Sequence, residues 1–329
     1  MGGKNLVCMG IEGTAHTFGI GIMDEKGNIL ADVRDVYIPK IGKGIIPKEA
    51  KEHHEKVAND ILEKALRISK LSLEDIDIIS YSAGPGLPPP LLFTANFAHN
   101  LSISYKKPII PVNHCCGHIE IGKFKTGAKD PLVVYLSGGN TQLIAYVEKR
   151  YRIFGETMDI PLGNCLDVVA REMGLPMPGG PQLERLAKNG KYVELPYTVK
   201  GMDVSFSGIE TAAIKLLRRG VRKEDVAYSL QETCFSMLTE VAERALAHVG
   251  KDEVLLVGGV AANKRLQEMV KIMCEERGAR MYVVPEEYSG DNGVMIALVG
   301  ILAYKSGWEA FKDKIKPKWR IDEVEITWI

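Results

Sequence analysis

The chain has 329 residues, 46% of them apolar and 26% charged, the balance of a globular protein long enough to bury two cores of ordinary domain size. Lys+Arg and Asp+Glu both number 42, so the formal net charge is zero and a generally basic, polyanion-binding surface is excluded. The six cysteines (Cys8, Cys115, Cys116, Cys165, Cys234 and Cys274) are scattered without a CxxC pair, which argues for reduced thiols in a cytoplasmic protein. No apolar run approaches the roughly 18 residues of a membrane span. The start, Met-Gly-Gly-Lys4, runs straight into a strand-like stretch, which leaves no room for a signal peptide, and Leu6 breaks the myristoylation pattern.

In chain order, residues 6–35 (LVCMGIEGTAHTFGIGIMDEKGNILADVRD) read as strand, glycine turn, strand, charged turn, strand. Glu49–Lys70 carries the periodicity of an amphipathic helix, and Asp77–Ser82 and Pro108–Val112 read as strands. Residues 132–155 (LVVYLSGGNTQLIAYVEKRYRIFG) repeat the opening order around a Ser137-Gly138-Gly139-Asn140-Thr141 turn. Leu166–Met173 and Glu224–Val249 read as helices, Glu253–Val257 and Arg280–Val284 as strands, and Gly293–Lys305 as a last helix. Two copies of a β-β-β-α-β-α-β order imply two similar α/β domains facing a cleft. The expected division is 1–125, completed by 305–329, and 126–304.

The first hairpin turn of each half could aim backbone N–H groups at phosphates, or both could be ordinary hairpins. Their matched placement favours the phosphate reading. A third glycine turn, Gly258-Gly259, runs from a buried strand into a helix near Asn263–Cys274, where glycine lets a flat ring or a phosphate approach the backbone. Together the three turns resemble the adenosine-binding frame of the actin/hexokinase/Hsp70 superfamily. The implied fold class is α/β, with two duplicated actin-like (ASKHA, RNase H-like) domains around a nucleotide-binding cleft.

His114 and His118 stand four residues apart, which puts both imidazoles on one helical face, able to grip one metal ion or simply to cap and pack. This is not the zinc-protease HExxH pattern, because Cys115 stands where its glutamate would. Glu120, two residues past the pair, reads as solvated or as a helix partner. Asp291, in Tyr288-Ser289-Gly290-Asp291-Asn292-Gly293, is either a ligand or a helix N-cap.

NHCCGHIEIG, YLSGGNTQ, VSFSGIETA, LLVGGVAANKRL and YSGDNG, with EGTAHTFGIGI at the start, resemble in order and over nearly the whole chain the TsaD/KEOPS-transferase family, in its archaeal and eukaryotic branch. The resemblance implies the last step of threonylcarbamoyl-adenosine synthesis. The threonylcarbamoyl group of threonylcarbamoyl-AMP would pass to N6 of adenosine at tRNA position 37. By the same resemblance, His114, His118, Tyr135 and Asp291 match metal ligands, with iron implied and zinc or magnesium also compatible with the donors. Tyr135, Leu136, Ser137, Gly138 and Gly139 match the loop that cradles the phosphates of ATP or of the adenylate. Asp167 matches a ribose contact, and Gly180, Glu184 and Asn263 match further adenosine contacts. The family further implies tRNA, a small atypical kinase subunit and a dimerising small subunit as partners. No fused kinase domain is expected after the last helix, and no membrane association. The sequence departs from the family at His99-Asn100 and at Pro88-Pro89-Pro90, which are expected to stiffen a loop after Leu87.

His53 and His54 are neighbours on a helix, pointing about 100° apart, and read as packing or substrate-loop residues. Two basic clusters (Lys215, Arg218, Arg219, Arg222, Lys223, and Lys312, Lys314, Lys316, Lys318, Arg320) are solvated faces or tRNA phosphate contacts. Two other functions fit part of the pattern. A small-molecule kinase of the superfamily explains the glycine turns but leaves His114, His118 and Asp291 without a role. A non-catalytic ATP-binding interaction subunit is the other.

Overall fold

The computed structural model describes residues 5–40, 43–307 and 314–329; Met1–Lys4 and Lys312 of the second basic cluster lie outside them. The chain forms two compact units, one of Met1–Pro39, Ile45–Ile121 and Gly290–Ile329, the other of Lys40–Gly44 and Gly122–Ser289.

The first unit opens with β1 (Val7–Glu12), β2 (Thr17–Asp24) and β3 (Ile29–Val36), then α1 (Pro47–Ser69), β4 (Ile78–Gly84), α2 (Pro88–Tyr105), β5 (Ile109–Asn113) and α3 (His114–Thr126). Its sheet has the order β3-β2-β1-β4-β5, antiparallel among the first three strands and parallel from β1 through β4 to β5. The second unit carries β6 (Leu132–Leu136), β7 (Thr141–Val147), β8 (Arg150–Glu156), α4 (Leu162–Glu172), α5 (Gly179–Ala187), the short pair β9 (Val199–Lys200) and β10 (Asp203–Val204), α6 (Ser207–Arg218), α7 (Lys223–Val249), β11 (Glu253–Val257), α8 (Lys264–Glu276), β12 (Arg280–Val283) and α9 (Glu286–Ser289). Its five-stranded sheet runs β8-β7-β6-β11-β12 with the same pattern of directions. The duplicated mixed α/β order expected from the sequence is therefore present in the two five-stranded sheets, and the second unit adds the β9–β10 pair. α10 (Gly293–Lys305) returns to the first unit.

One expectation is corrected. Pro88-Pro89-Pro90 do not stiffen a loop; they form the first turn of α2. The first N–H groups of a helix have no intrahelical acceptor, so prolines there forfeit nothing and preset φ.

Every residue of β2 and nearly all of β1 is buried, because α10 packs on β1, β2 and β4 while α1 and α2 pack on β2, β3 and β4. The α10 contact is backbone on backbone. Gly10 and Gly21 are register partners in the sheet. A Cβ on Gly10 would lie 2.2 Å from the Ala297 nitrogen, one on Gly21 2.2 Å from the Val294 nitrogen, and one on Gly293 2.0 Å from the Gly21 nitrogen. Only glycine permits that approach, and it holds the first turns of α10 against the middle of β1 and β2.

The final segment is tied back onto the first unit. The Tyr81 hydroxyl donates to the Lys314 carbonyl (2.8 Å), Gly86 N–H to the Pro317 carbonyl (3.1 Å), and Asn113 Nδ2 to the Trp319 carbonyl (3.2 Å). All six cysteines are buried free thiols, as their scattered placement without a CxxC pair anticipates. Among the described residues, no helix is long and apolar enough to cross a membrane.

Candidate metal centre and glycine turns

The two histidines reach their places through a strand-to-helix junction. β5 ends at Asn113, whose Oδ1 accepts from the N–H groups of Cys115 (2.9 Å) and Cys116 (3.3 Å) and so starts α3 at once. His114 and His118 then stand one turn apart on the same face. Glu120, further along α3, is buried, and its Oε1 accepts from Trp328 Nε1 at 3.0 Å. It is a helix partner of the final segment and is not solvated.

Asp291 arrives on the turn before α10. Asn292, fully buried, is the N-cap: its Oδ1 accepts from Met295 N–H (2.9 Å), and its Nδ2 donates to the Gly290 carbonyl (2.8 Å). The cap that sequence reasoning allowed for Asp291 thus falls to its neighbour, and the Asp291 carboxylate turns to the histidines. Arg34 Nη1 holds the same turn by donating to the Asp291 carbonyl at 3.1 Å.

His114 Nε2, His118 Nε2 and Asp291 Oδ1 form a nearly equilateral triangle: 3.2 Å between the nitrogens, 3.2 Å from His118 to Asp291 and 3.4 Å from His114 to Asp291. Bonds of about 2.0–2.1 Å at tetrahedral angles separate donor atoms by about 3.3–3.4 Å, so the triangle fits one small divalent ion. Two imidazoles and a carboxylate suit iron or zinc, and with further oxygen ligands magnesium. Behind His114, its Nδ1 faces Glu12 Oε2 at 3.0 Å, and Glu12 is fully buried at the end of β1. Burial opposes charge on His114, but Glu12 and Asp291 outweigh it and raise its affinity for a proton. Burial lowers that of His118, with the His114 charge adding to the effect. Burial would raise the Asp291 carboxyl, yet the charge and hydrogen bond of His114, then those of His118, hold it well below the usual carboxylate range.

The glycine turns of the second unit meet one another. Gly258 has φ of +90°, and a Cβ there would lie 2.3 Å from the Leu136 carbonyl oxygen. A Cβ on Gly163, at the start of α4, would lie 2.5 Å from the Ser137 carbonyl oxygen. By contrast, nothing lies within 4 Å of a Cβ on Gly138, Gly139 or Gly180. Ser137 Oγ accepts from Gly139 N–H (3.3 Å) and Asn140 N–H (3.0 Å), so these two groups already have an acceptor inside the turn. Asp167 Oδ1 accepts from Gly179 N–H (2.8 Å) at the start of α5, and Glu184 Oε1 accepts from Lys264 N–H (2.8 Å) at the start of α8. Asn263 caps α8 through Oδ1 and donates Nδ2 to Gln231 Oε1 at 2.7 Å. Asp167 on α4 and Glu184 on α5 thus hold the starts of α5 and α8, while Leu136 and Ser137 lie against Gly258 and Gly163. Tyr135 is a fully buried residue of β6.

Sequence reasoning missed Glu12 and Gln231. An acid immediately before a glycine turn was the visible signal for the first. Gln231, in mid-helix on α7, gives none.

Duplicated five-stranded sheets of this order are the fold of the actin-like class. Among solved structures, HypF of Thermococcus kodakarensis shares this fold, with a TM-score of 0.63 at 17% identity over 92% of this chain and 48% of that one. The family model described as tRNA N6-adenosine threonylcarbamoyltransferase matches residues 28–298, and the chain belongs to that family. A protein of Archaeoglobus fulgidus bearing the same name is 53% identical over 98% of this chain and 100% of its own length. One of Methanocaldococcus jannaschii, named a probable bifunctional tRNA threonylcarbamoyladenosine biosynthesis protein, is 54% identical over 98% of this chain. This chain spans 61% of that longer relative.

Proposed function

We propose that the chain transfers the threonylcarbamoyl group of threonylcarbamoyl-AMP to N6 of adenosine at tRNA position 37, as the catalytic subunit of a KEOPS-type complex. The observation that carries this reading is the triangle of His114, His118 and Asp291 in a chain of this family. A kinase of the same fold has no use for it.

His114, His118 and Asp291 would hold one divalent ion, iron by preference. Such an ion supplies Lewis-acid polarisation of a phosphate or carbamoyl oxygen. The open backbone at Gly138 and Gly139 lets the phosphates of ATP or the adenylate approach the turn without a side chain in the way. Asp167 and Glu184 tie down the helix starts around Gly180 and Asn263, so the adenosine meets a rigid wall, and orientation is the protein's main contribution to the rate.

The test is product analysis on unmodified tRNA incubated with the chain, partner subunits and threonylcarbamoyl-AMP. Threonylcarbamoyl-adenosine should form, and His114→Ala, His118→Ala and Asp291→Ala should each abolish it and lower metal affinity by more than about 100-fold. Full metal occupancy in all three variants would sink the site, and phosphoryl transfer without tRNA product would sink the function.

A further inference from the structure

The two oxygens of the Glu12 carboxylate are engaged on opposite sides. Oε1 accepts from Thr14 N–H (2.8 Å) and from Thr14 Oγ1 (2.6 Å), while Oε2 lies 3.0 Å from His114 Nδ1. Oε2 is thus placed to accept a hydrogen bond from an N–H at His114 Nδ1. That leaves Nε2, the atom 3.2 Å from His118 Nε2 and 3.4 Å from Asp291 Oδ1, as the nitrogen free to bind an ion.

We propose that Glu12 is a positioning residue of the metal centre, an inference that rests on the metal reading above. It fixes the ring plane of His114 and the identity of its liganding nitrogen. Through Thr14 it also joins that ring to the first hairpin turn, so the conformation of residues 13–16 and the orientation of a ligand are set by one buried group. The carboxylate is suited to this as no neutral side chain is. Its two ends both accept, whereas the carboxamide of glutamine has one accepting and one donating end. In Glu12→Gln the NH2 must face either His114 Nδ1, driving the proton to Nε2 and blocking the ligand, or the Thr14 donors, breaking the turn.

The test uses the full chain with Zn(II) as probe, in chelator competition, together with nitrogen-15 NMR of histidine-labelled protein. Wild type should show His114 with a protonated Nδ1 and a zinc-bound Nε2. Glu12→Gln should bind Zn(II) about 10- to 100-fold more weakly and lose that signature, while the metal-free protein melts within a few degrees of wild type. Thr14→Val keeps the carboxylate but removes its hydroxyl donor. It should weaken binding several-fold, and it decides the matter if Glu12→Gln fails to fold. Tight wild-type binding with both variants within twofold and the Nδ1–H signature intact would overturn the inference alone. A wild type that takes up no metal would overturn the metal reading beneath it.

Discussion

A turn of about 100° per residue predicts that the rings of His53 and His54 diverge, and on the scale of single side chains that is only half true. Their Nδ1 atoms lie 3.3 Å apart, His53 Nε2 reaches Asp35 Oδ1 at 2.7 Å, and His54 is fully buried with its ring 5.4 Å from that of Phe18. The reading as packing residues holds for His54. Burial first, then His53 and His16, pushes its pKa down to about 3. A histidine whose folded pKa lies below its unfolded value of about 6.5 binds its proton more readily in the unfolded chain. Its neutral, packed form is therefore favoured above about pH 6.5, and the stability it contributes falls away as the pH drops from there towards 3. Over that window this one residue should remove up to about 1.4 kcal/mol per pH unit. Urea unfolding at pH 7 and pH 5 should show a steeper acid loss in wild type than in His54→Phe; equal slopes would refute the assignment. His114 and His118 were legible because a spacing of four is a physical statement about one helix face. Glu12 was not, since a single acid ending a strand carries no periodicity and its partner lies 102 positions away.

At the level of strands and helices, glycine and proline carried the most information and misled most. The two glycine-bearing hairpins and the long α7 were readable from alternation and from helical period. α2 and α5 were not, because Pro88-Pro89-Pro90 and Gly179-Gly180-Pro181 look like breakers although both are helix starts, where those residues are tolerated. α6 was missed because Ser-Phe-Ser-Gly reads as a turn. Here Asp159 gathers that segment, accepting from Phe206 N–H at 2.9 Å, Ser207 N–H at 3.1 Å and the Ser205 and Ser207 hydroxyls, so a distant residue starts the helix. The docking of α10 yields a sharp expectation. Gly10→Ala would drive a methyl group to 2.2 Å from the Ala297 nitrogen and 2.3 Å from the Gly293 carbonyl oxygen, neither of which can swing aside. It should cost about 3 kcal/mol or more and, by displacing the turn before α10, also weaken metal binding without touching a ligand. Gly138→Ala meets nothing within 4 Å and should leave stability within about 0.5 kcal/mol of wild type while weakening nucleotide binding. Denaturant melts with calorimetric titrations of metal and ATP separate the two effects. A stable, metal-tight Gly10→Ala would contradict the close approach described above.

Over the whole chain the formal charge is zero, and much of the basic side-chain density is engaged locally. Arg218 pairs with Glu172 at 3.0 Å, Arg222 with Glu224 at 3.6 Å, and Lys223 donates to the Met173 carbonyl at 2.7 Å. Non-specific affinity for nucleic acid scales with the phosphates neutralised, so the isolated chain should bind tRNA weakly, its log K falling with log salt at a slope shallower than about −3. Partner subunits should raise both the binding and the modification rate. A full rate from the purified chain in moderate salt would remove the need for them. The division into units has a further consequence, for synthesis. Residues 122–289 of the second unit are continuous and can fold as they leave the ribosome, but the first unit is interrupted by them. His114 and His118 must wait for Asp291, 173 positions after His118, while the strand before them waits longer still for Trp319 and their helix for Trp328. A nascent chain thus presents two histidines without their carboxylate until Asp291 has been made. The triangle can close only once both stretches of the first unit, on either side of the second, have been made.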